Sequence, residues 1–199
     1  MRPVIIMGMC RSGTSAVSEA CHWLGYAMAA GLGYPAPGVG RPEWEDSSFT
    51  AQMAMEFPAL SPAERVERAV SHVEHRIQMA GLYGVKRVGF KSPLYSLYYT
   101  SMVKALAMCG LKAPVLLRSV RNLSGIEASI DRQVAAAQPI LRSWNEEIAF
   151  AKRPGWAVDV SYGDLIELPD TIVGQLANLL EVYDPVLIGR AVSNIRQPI

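Results

Sequence analysis

The sequence predicts an α/β fold in three layers, with helices on both faces of a central parallel sheet of about four to five strands. Three observations carry this expectation. Short apolar runs alternate along the chain with segments of helical spacing. The first apolar run ends in a glycine-containing turn that leads straight into a helix-like segment. A chain of 199 residues, 50% of them hydrophobic, also suits one full core, so a single domain over 1–199 is expected.

Each element has its own signature. Pro3 to Met9 is short and apolar, as a buried parallel strand requires. In residues 13–25, Val17, Ala20, Cys21 and Leu24 share one helical face, and Gly25 can close that helix. The stretch "GYAMAAGLGYPAPGVGRPEWEDSS" is rich in glycine and proline and reads as a long loop over 26–50, of the kind that carries function. Ser61, Pro62 and Glu64 supply start chemistry for a helix over 62–80. "GVKRVGFK" (84–91) is a second strand, and "SLYYTSMVKALAMCG" (96–110) a helix ended by Gly110. "APVLLRSV" (113–120) is a third strand, followed by helices over 124–138 and 140–152. "WAVDVSY" (156–162) is a fourth strand, and the tail is helical, with a last helix starting at Asp184 and Pro185.

Composition excludes several classes. The net charge is +1, too small for a nucleic-acid coat or an electrostatic membrane clamp. No apolar run reaches the roughly 18 residues of a membrane span. The N-terminus, "MRPVIIMGM", is too short for a signal peptide, which leads to the expectation of a cytoplasmic protein. Cys10, Cys21 and Cys109 are odd in number and lack metal-type spacing, so neither a disulfide framework nor a metal site is expected. Oligomeric state is not encoded in any pattern of this chain.

The turn "GMCRSGTS" nearly meets the phosphate-loop pattern G-x-x-x-x-G-K-[ST]. Gly8, Gly13 and Ser15 are in register, Thr14 stands in the lysine position, and Arg11 stands three residues earlier. A strand, a glycine turn and a helix start converge backbone N–H groups and the positive end of the helix dipole on one point. This makes the fold P-loop NTPase-like. Arg11 adds a guanidinium that can bind phosphate in bidentate fashion, and Ser12, Thr14 and Ser15 add hydroxyls. Arg11, Ser12, Gly13, Thr14 and Ser15 are therefore the candidate anion ligands. A P-loop kinase needs the missing lysine and a carboxylate-held Mg²⁺, whereas the third strand runs into "LLRSVRN". A cysteine phosphatase needs an arginine six residues after its cysteine, where Cys10 is followed by Ala16.

At these residues the chain resembles the sulfotransferases, in particular the bacterial-type branch whose loop reads G-M-H-R-S-G-T-S; Cys10 replaces the histidine and is expected to be a packed side chain. The resemblance implies 3′-phosphoadenosine 5′-phosphosulfate as donor, its 5′-phosphosulfate cradled by the loop. It extends to "RNLSGIEAS", where Arg121 and Ser129 match the family's partners for the 3′-phosphate, with Leu123 in place of a proline. Arg118 is an alternative partner, and Arg132 adds a third cation nearby. "GFKSPLYSL" resembles the family's K-[SD]-P segment, which implies that Lys91 faces the sulfuryl or bridging oxygen; Leu94 departs from the usual arginine. "VDVSYGDL" resembles the family's Y-x-D-L segment, where Tyr162 and Asp164 are expected to be structural.

Transfer to a hydroxyl or amine needs a base near the attacking atom. Glu45 and Asp46 in "RPEWEDSSF" match an acidic pair common in related sulfotransferases, and Glu45 is the candidate base, with Glu43 and Asp46 as alternatives. Trp44 and Tyr34 could line the acceptor pocket. His22 lies about two turns into the first helix, too far from the loop. His72 and His75 sit among charges and read as a solvated face. The expected activity is sulfuryl transfer to a small-molecule or glycan acceptor, with Arg11, Lys91 and Glu45 as the catalytic groups and no metal. The alternatives are a nucleotide kinase or NTPase with an altered loop, and a non-catalytic nucleotide-binding relative.

Overall fold

The computed structural model describes residues 2–28, 46–152 and 154–195. Strands β1 (Val4–Met7), β2 (Tyr26–Ala27), β3 (Arg87–Lys91), β4 (Val115–Val120) and β5 (Val158–Ser161) form one sheet in the order β2-β3-β1-β4-β5. Every pairing is parallel. The helices among the described residues are α1 (Thr14–Trp23), α2 (Ser47–Met55), α3 (Pro62–Leu82), α4 (Tyr95–Met108), α5 (Leu123–Asp131), α6 (Gln138–Phe150), α7 (Tyr162–Glu167), α8 (Pro169–Leu179) and α9 (Pro185–Ile195).

β1 lies in the middle because all its side chains are apolar and can be buried on both faces. Successive residues of a strand point to opposite faces. Val4 and Ile6 accordingly join Val17 and Ala20 of α1, Leu24 just after it, Val173 of α8 and Ala191 of α9. Ile5 and Met7 join Met53 of α2, Val73 of α3 and Met102 of α4 on the other side. The expected three-layer α/β architecture is the one observed, with a strand count at the upper end of the expected range.

Local signals act where the sequence places them. Ser61 and Glu64 form a reciprocal capping box at the start of α3. Gly25 ends α1 at φ +92°, its N–H donating to the His22 carbonyl at 2.9 Å. Three boundaries differ from expectation. The stretch expected as a loop over 26–50 contains β2 at its start and the first turn of α2 at its end. β2 is only two residues long, too short to show a period. The helix expected over 124–138 stops at Asp131, and a separate helix, α6, begins at Gln138 with Pro139 in its first turn.

Candidate functional site

The site begins at the carboxyl end of β1. Gly8 has φ +144° and Gly13 φ +99°, and both positions exclude a side chain on steric grounds as well. A Cβ on Gly8 would stand 2.6 Å from the Ser119 carbonyl oxygen, and one on Gly13 would stand 2.3 Å from the Tyr162 ring. The turn between them is held from several elements. The Gly8 N–H donates to Ser96 Oγ of α4 at 3.1 Å. Ser119 Oγ of β4 donates to the Ser12 carbonyl at 2.8 Å. The Cys10 N–H donates to Asn145 Oδ1 of α6 at 2.6 Å, and Asn145 Nδ2 donates back to the Cys10 carbonyl at 3.2 Å.

Arg11 is exposed and adopts φ +67°, a left-handed conformation that costs a non-glycine residue on the order of 1 kcal/mol or more. Its Nε donates to Ser129 Oγ of α5 at 3.1 Å. Arg121, just past β4, reaches the same place: Nη1 lies 3.5 Å from the Arg11 carbonyl oxygen. The Arg121 guanidinium stacks over the Tyr162 ring, 4.7 Å from its centroid, and that ring also backs Gly13. Arg11 of the turn, Arg121 beside it and three serines, Ser96, Ser119 and Ser129, thus meet at one turn. Ser12 Oγ is buried, with no hydrogen-bond partner among the described residues, an orphaned polar atom inside the loop. Thr14 and Ser15 open α1, whose amino-terminal end faces the turn.

Lys91 is the last residue of β3 and pairs in register with Ile6, which puts it beside the start of the loop. It is buried, with 3% of its surface exposed. Its backbone is clasped by Asp46: the Lys91 N–H donates to Asp46 Oδ2 at 3.2 Å, and the Asp46 N–H donates to the Lys91 carbonyl at 3.1 Å.

Asp46 is thereby engaged in a buried polar cluster. Its carboxylate accepts from Tyr95 Oη at 2.9 Å, lies 3.6 Å from Arg76 Nε and 3.5 Å from His72 Nε2, and is itself buried. Arg76 is equally buried, and its Nη2 donates to the carbonyls of Ala27 and Gly89. His72 is not on a solvated face as expected: its ring stacks on Phe49 at 4.1 Å within this cluster, while His75 is exposed. Of the charges around His72 in the sequence, Glu74 lies on the exposed outer side of α3, whereas Arg76 is on the inner side with Ala69 and Val73.

Other expectations resolve as follows. Glu43, Glu45, Trp44 and Tyr34 lie outside the described residues. Arg118 does not join the site, because its guanidinium makes a two-bond ion pair with Asp159 on β5, at 2.8 and 2.9 Å. Arg132 is exposed at the end of α5. Cys10 is buried, as expected of a packed side chain, and Cys21 sits in the core, where burial pushes its thiol up to about 12. Ser161 caps α7, its Oγ accepting the Asp164 N–H at 3.2 Å, and Asp164 is exposed. His22 is half-buried near the far end of α1, about 12 Å along the helix from Thr14. The sequence reading missed Ser96, Ser119 and Asn145. The first two are ordinary serines at strand and helix ends. Asn145 did leave a trace, as a carboxamide on the side of α6 that turns toward the core.

No protein-family profile matches the chain, and no curated protein matches it. Among solved structures, its fold is similar to the "Sulfotransferase Domain from the Synechococcus PCC 7002 Olefin Synthase", with TM-score 0.58 and 15% identity over 100% of this chain and 81% of that one. It is also similar to "sulfotransferase STF1 from Mycobacterium tuberculosis H37Rv", with TM-score 0.52 and 17% identity over 96% of this chain and 70% of that one. At such identities the likeness is one of fold.

Proposed function

We propose that this chain is a sulfotransferase that moves a sulfuryl group from 3′-phosphoadenosine 5′-phosphosulfate to a hydroxyl or amine of a small-molecule or glycan acceptor. The observation that carries the reading is the 3.1 Å bond between Arg11 and Ser129. It joins the loop that fits a 5′-phosphosulfate to the helix that fits a 3′-phosphate, so one ligand with anions at both ends matches both. The residues present suit such a donor. Gly8 and Gly13 keep side chains out of the turn, and the orphaned Ser12 hydroxyl has a bond to offer there.

The donor, when bound, supplies the sulfuryl group and carries the phosphate that leaves. This chain supplies everything else. Arg11 and the loop amides bind the 5′ end, and Arg121 and Ser129 hold the 3′-phosphate. Lys91 would supply a cation where negative charge grows on the bridging oxygen, and its value rises because Lys91 is buried. Glu45 takes the acceptor's proton; Asp46 next to it is engaged in the buried cluster with Arg76 and Tyr95. A metal is not required in this scheme. β3, which flanks β1, ends in the cation Lys91, and the loop itself carries Thr14 where a P-loop kinase needs its lysine.

Calorimetry tests the reading. 3′-Phosphoadenosine 5′-phosphate is expected to bind with or without EDTA, and more tightly than ADP or than ATP with Mg²⁺. Tight, Mg²⁺-dependent binding of ATP alone would replace the proposal with the altered kinase.

A further inference from the structure

The carboxamide of Asn145 forms both partners of a peptide-like clasp on one residue. Oδ1 accepts the Cys10 N–H at 2.6 Å and Nδ2 donates to the Cys10 carbonyl at 3.2 Å, across 135 residues of sequence. A side-chain amide carries a donor and an acceptor on adjacent atoms, as that task needs; an ionised carboxylate lacks the donor, and an alkyl chain lacks both. Asn145 is buried at 8% exposure, so water does not offer Cys10 an easy substitute.

We propose that Asn145 is a positioning residue of the donor loop, fixing the Cys10 peptide and, through it, the left-handed backbone of Arg11. This inference rests on the sulfotransferase reading above. The residue after the clasp is Arg11 at φ +67°, the one non-glycine residue of the loop in that conformation among those described. From that backbone its guanidinium reaches Ser129. Asn145 and Ser129 belong to the two helices α6 and α5, which are tied together by Arg142 of α6, bonded to Glu127 at 3.1 Å and Asp131 at 2.6 Å on α5. The α5–α6 pair therefore grips consecutive loop residues, Cys10 by a carboxamide and Arg11 by a hydroxyl. Without the clasp, Arg11 returns to the right-handed conformation that side chains favour, and the guanidinium leaves the turn.

The loop serves the 5′ end of the donor, so the effect is selective. Asn145→Ala is expected to weaken binding of 3′-phosphoadenosine 5′-phosphate about tenfold or more, while adenosine 3′-phosphate, which lacks the 5′ group, changes less than about twofold. Asn145→Leu keeps the branched shape and the number of heavy atoms without either hydrogen-bonding group, and gives the same selectivity if Ala disturbs folding. Amide exchange in the unaltered protein provides a check without a variant: the Cys10 amide exchanges as slowly as those of β1. Equal weakening of both ligands, unchanged binding of the bisphosphate or fast exchange at Cys10 overturns the assignment of Asn145. If the unaltered protein itself does not prefer the bisphosphate to adenosine 3′-phosphate, the donor reading fails and this inference with it.

Discussion

Arg11 and Ser129, 118 residues apart in the chain, meet at 3.1 Å between Nε and Oγ. The bond ties the phosphate-type loop after β1 to the helix after β4, and Arg121 completes the group from the end of β4. The segments after two strands, β1 and β4, thus deliver donors to one place, as the carboxyl ends of a parallel sheet allow.

Ser129→Ala removes the hydroxyl that Arg11 engages and that the 3′-phosphate would accept from. Affinity for 3′-phosphoadenosine 5′-phosphate is expected to fall about tenfold, equal to about 1.4 kcal/mol, by calorimetry. A Kd indistinguishable from that of the parent protein would place the 3′-phosphate elsewhere.

Lys91→Met keeps the alkyl stem and deletes the charge beside the loop. In single-turnover release of the bisphosphate product from the sulfated donor, the rate is expected to drop by about 100-fold or more. Binding of the bisphosphate itself should change far less, because the interaction grows with the charge that develops during transfer. Loss of binding without loss of rate would make Lys91 a binding group instead.

Asp46→Asn leaves the Arg76 guanidinium buried without its counter-charge. The expected cost is about 3–5 kcal/mol in urea unfolding. Tyr95→Phe, which deletes one bond to the same carboxylate, is expected to cost about 1 kcal/mol. If Asp46→Asn unfolds with the parent midpoint, the cluster is not structural and Asp46 returns as a base.

Gly13→Ala meets two obstacles, the Tyr162 ring and a φ of +99°. Adding Tyr162→Ala removes the first and leaves the second. The double variant is therefore expected to regain part of the stability lost by Gly13→Ala alone, read as a non-additive thermal shift. Strict additivity would mean that the ring does not press on the loop.

His22 supplies a pH signature. Burial lowers its pKa in the fold from the ordinary 6.5, against a smaller opposing hydrogen bond from the backbone at Tyr26. The unfolded chain then binds the proton more readily, so stability is full above about 6.5 and falls as the pH drops toward the folded value. Replacing His22 by Gln should flatten this acid-side decline in thermal melts, and an unchanged slope would assign it to other groups.

The sequence by itself determined the alternation of strands and helices, the glycine turn and the cations at Arg11, Lys91 and Arg121. These are local: apolar period, positive φ and residue chemistry can all be read within a few neighbours. It also carried the match of Arg121 to Ser129, because the spacing of a strand-to-helix junction is itself local. Only the tertiary structure decided which arginine meets the loop, since Arg118 faces Asp159 through strand register between β4 and β5. It alone moved Asp46 and His72 inward, where packing of α2 and α3 on β3 closes a polar cluster. It alone brought Asn145 to Cys10. A hydrogen bond across 135 residues depends on how two helices lie against a sheet, and no periodicity along the chain records that.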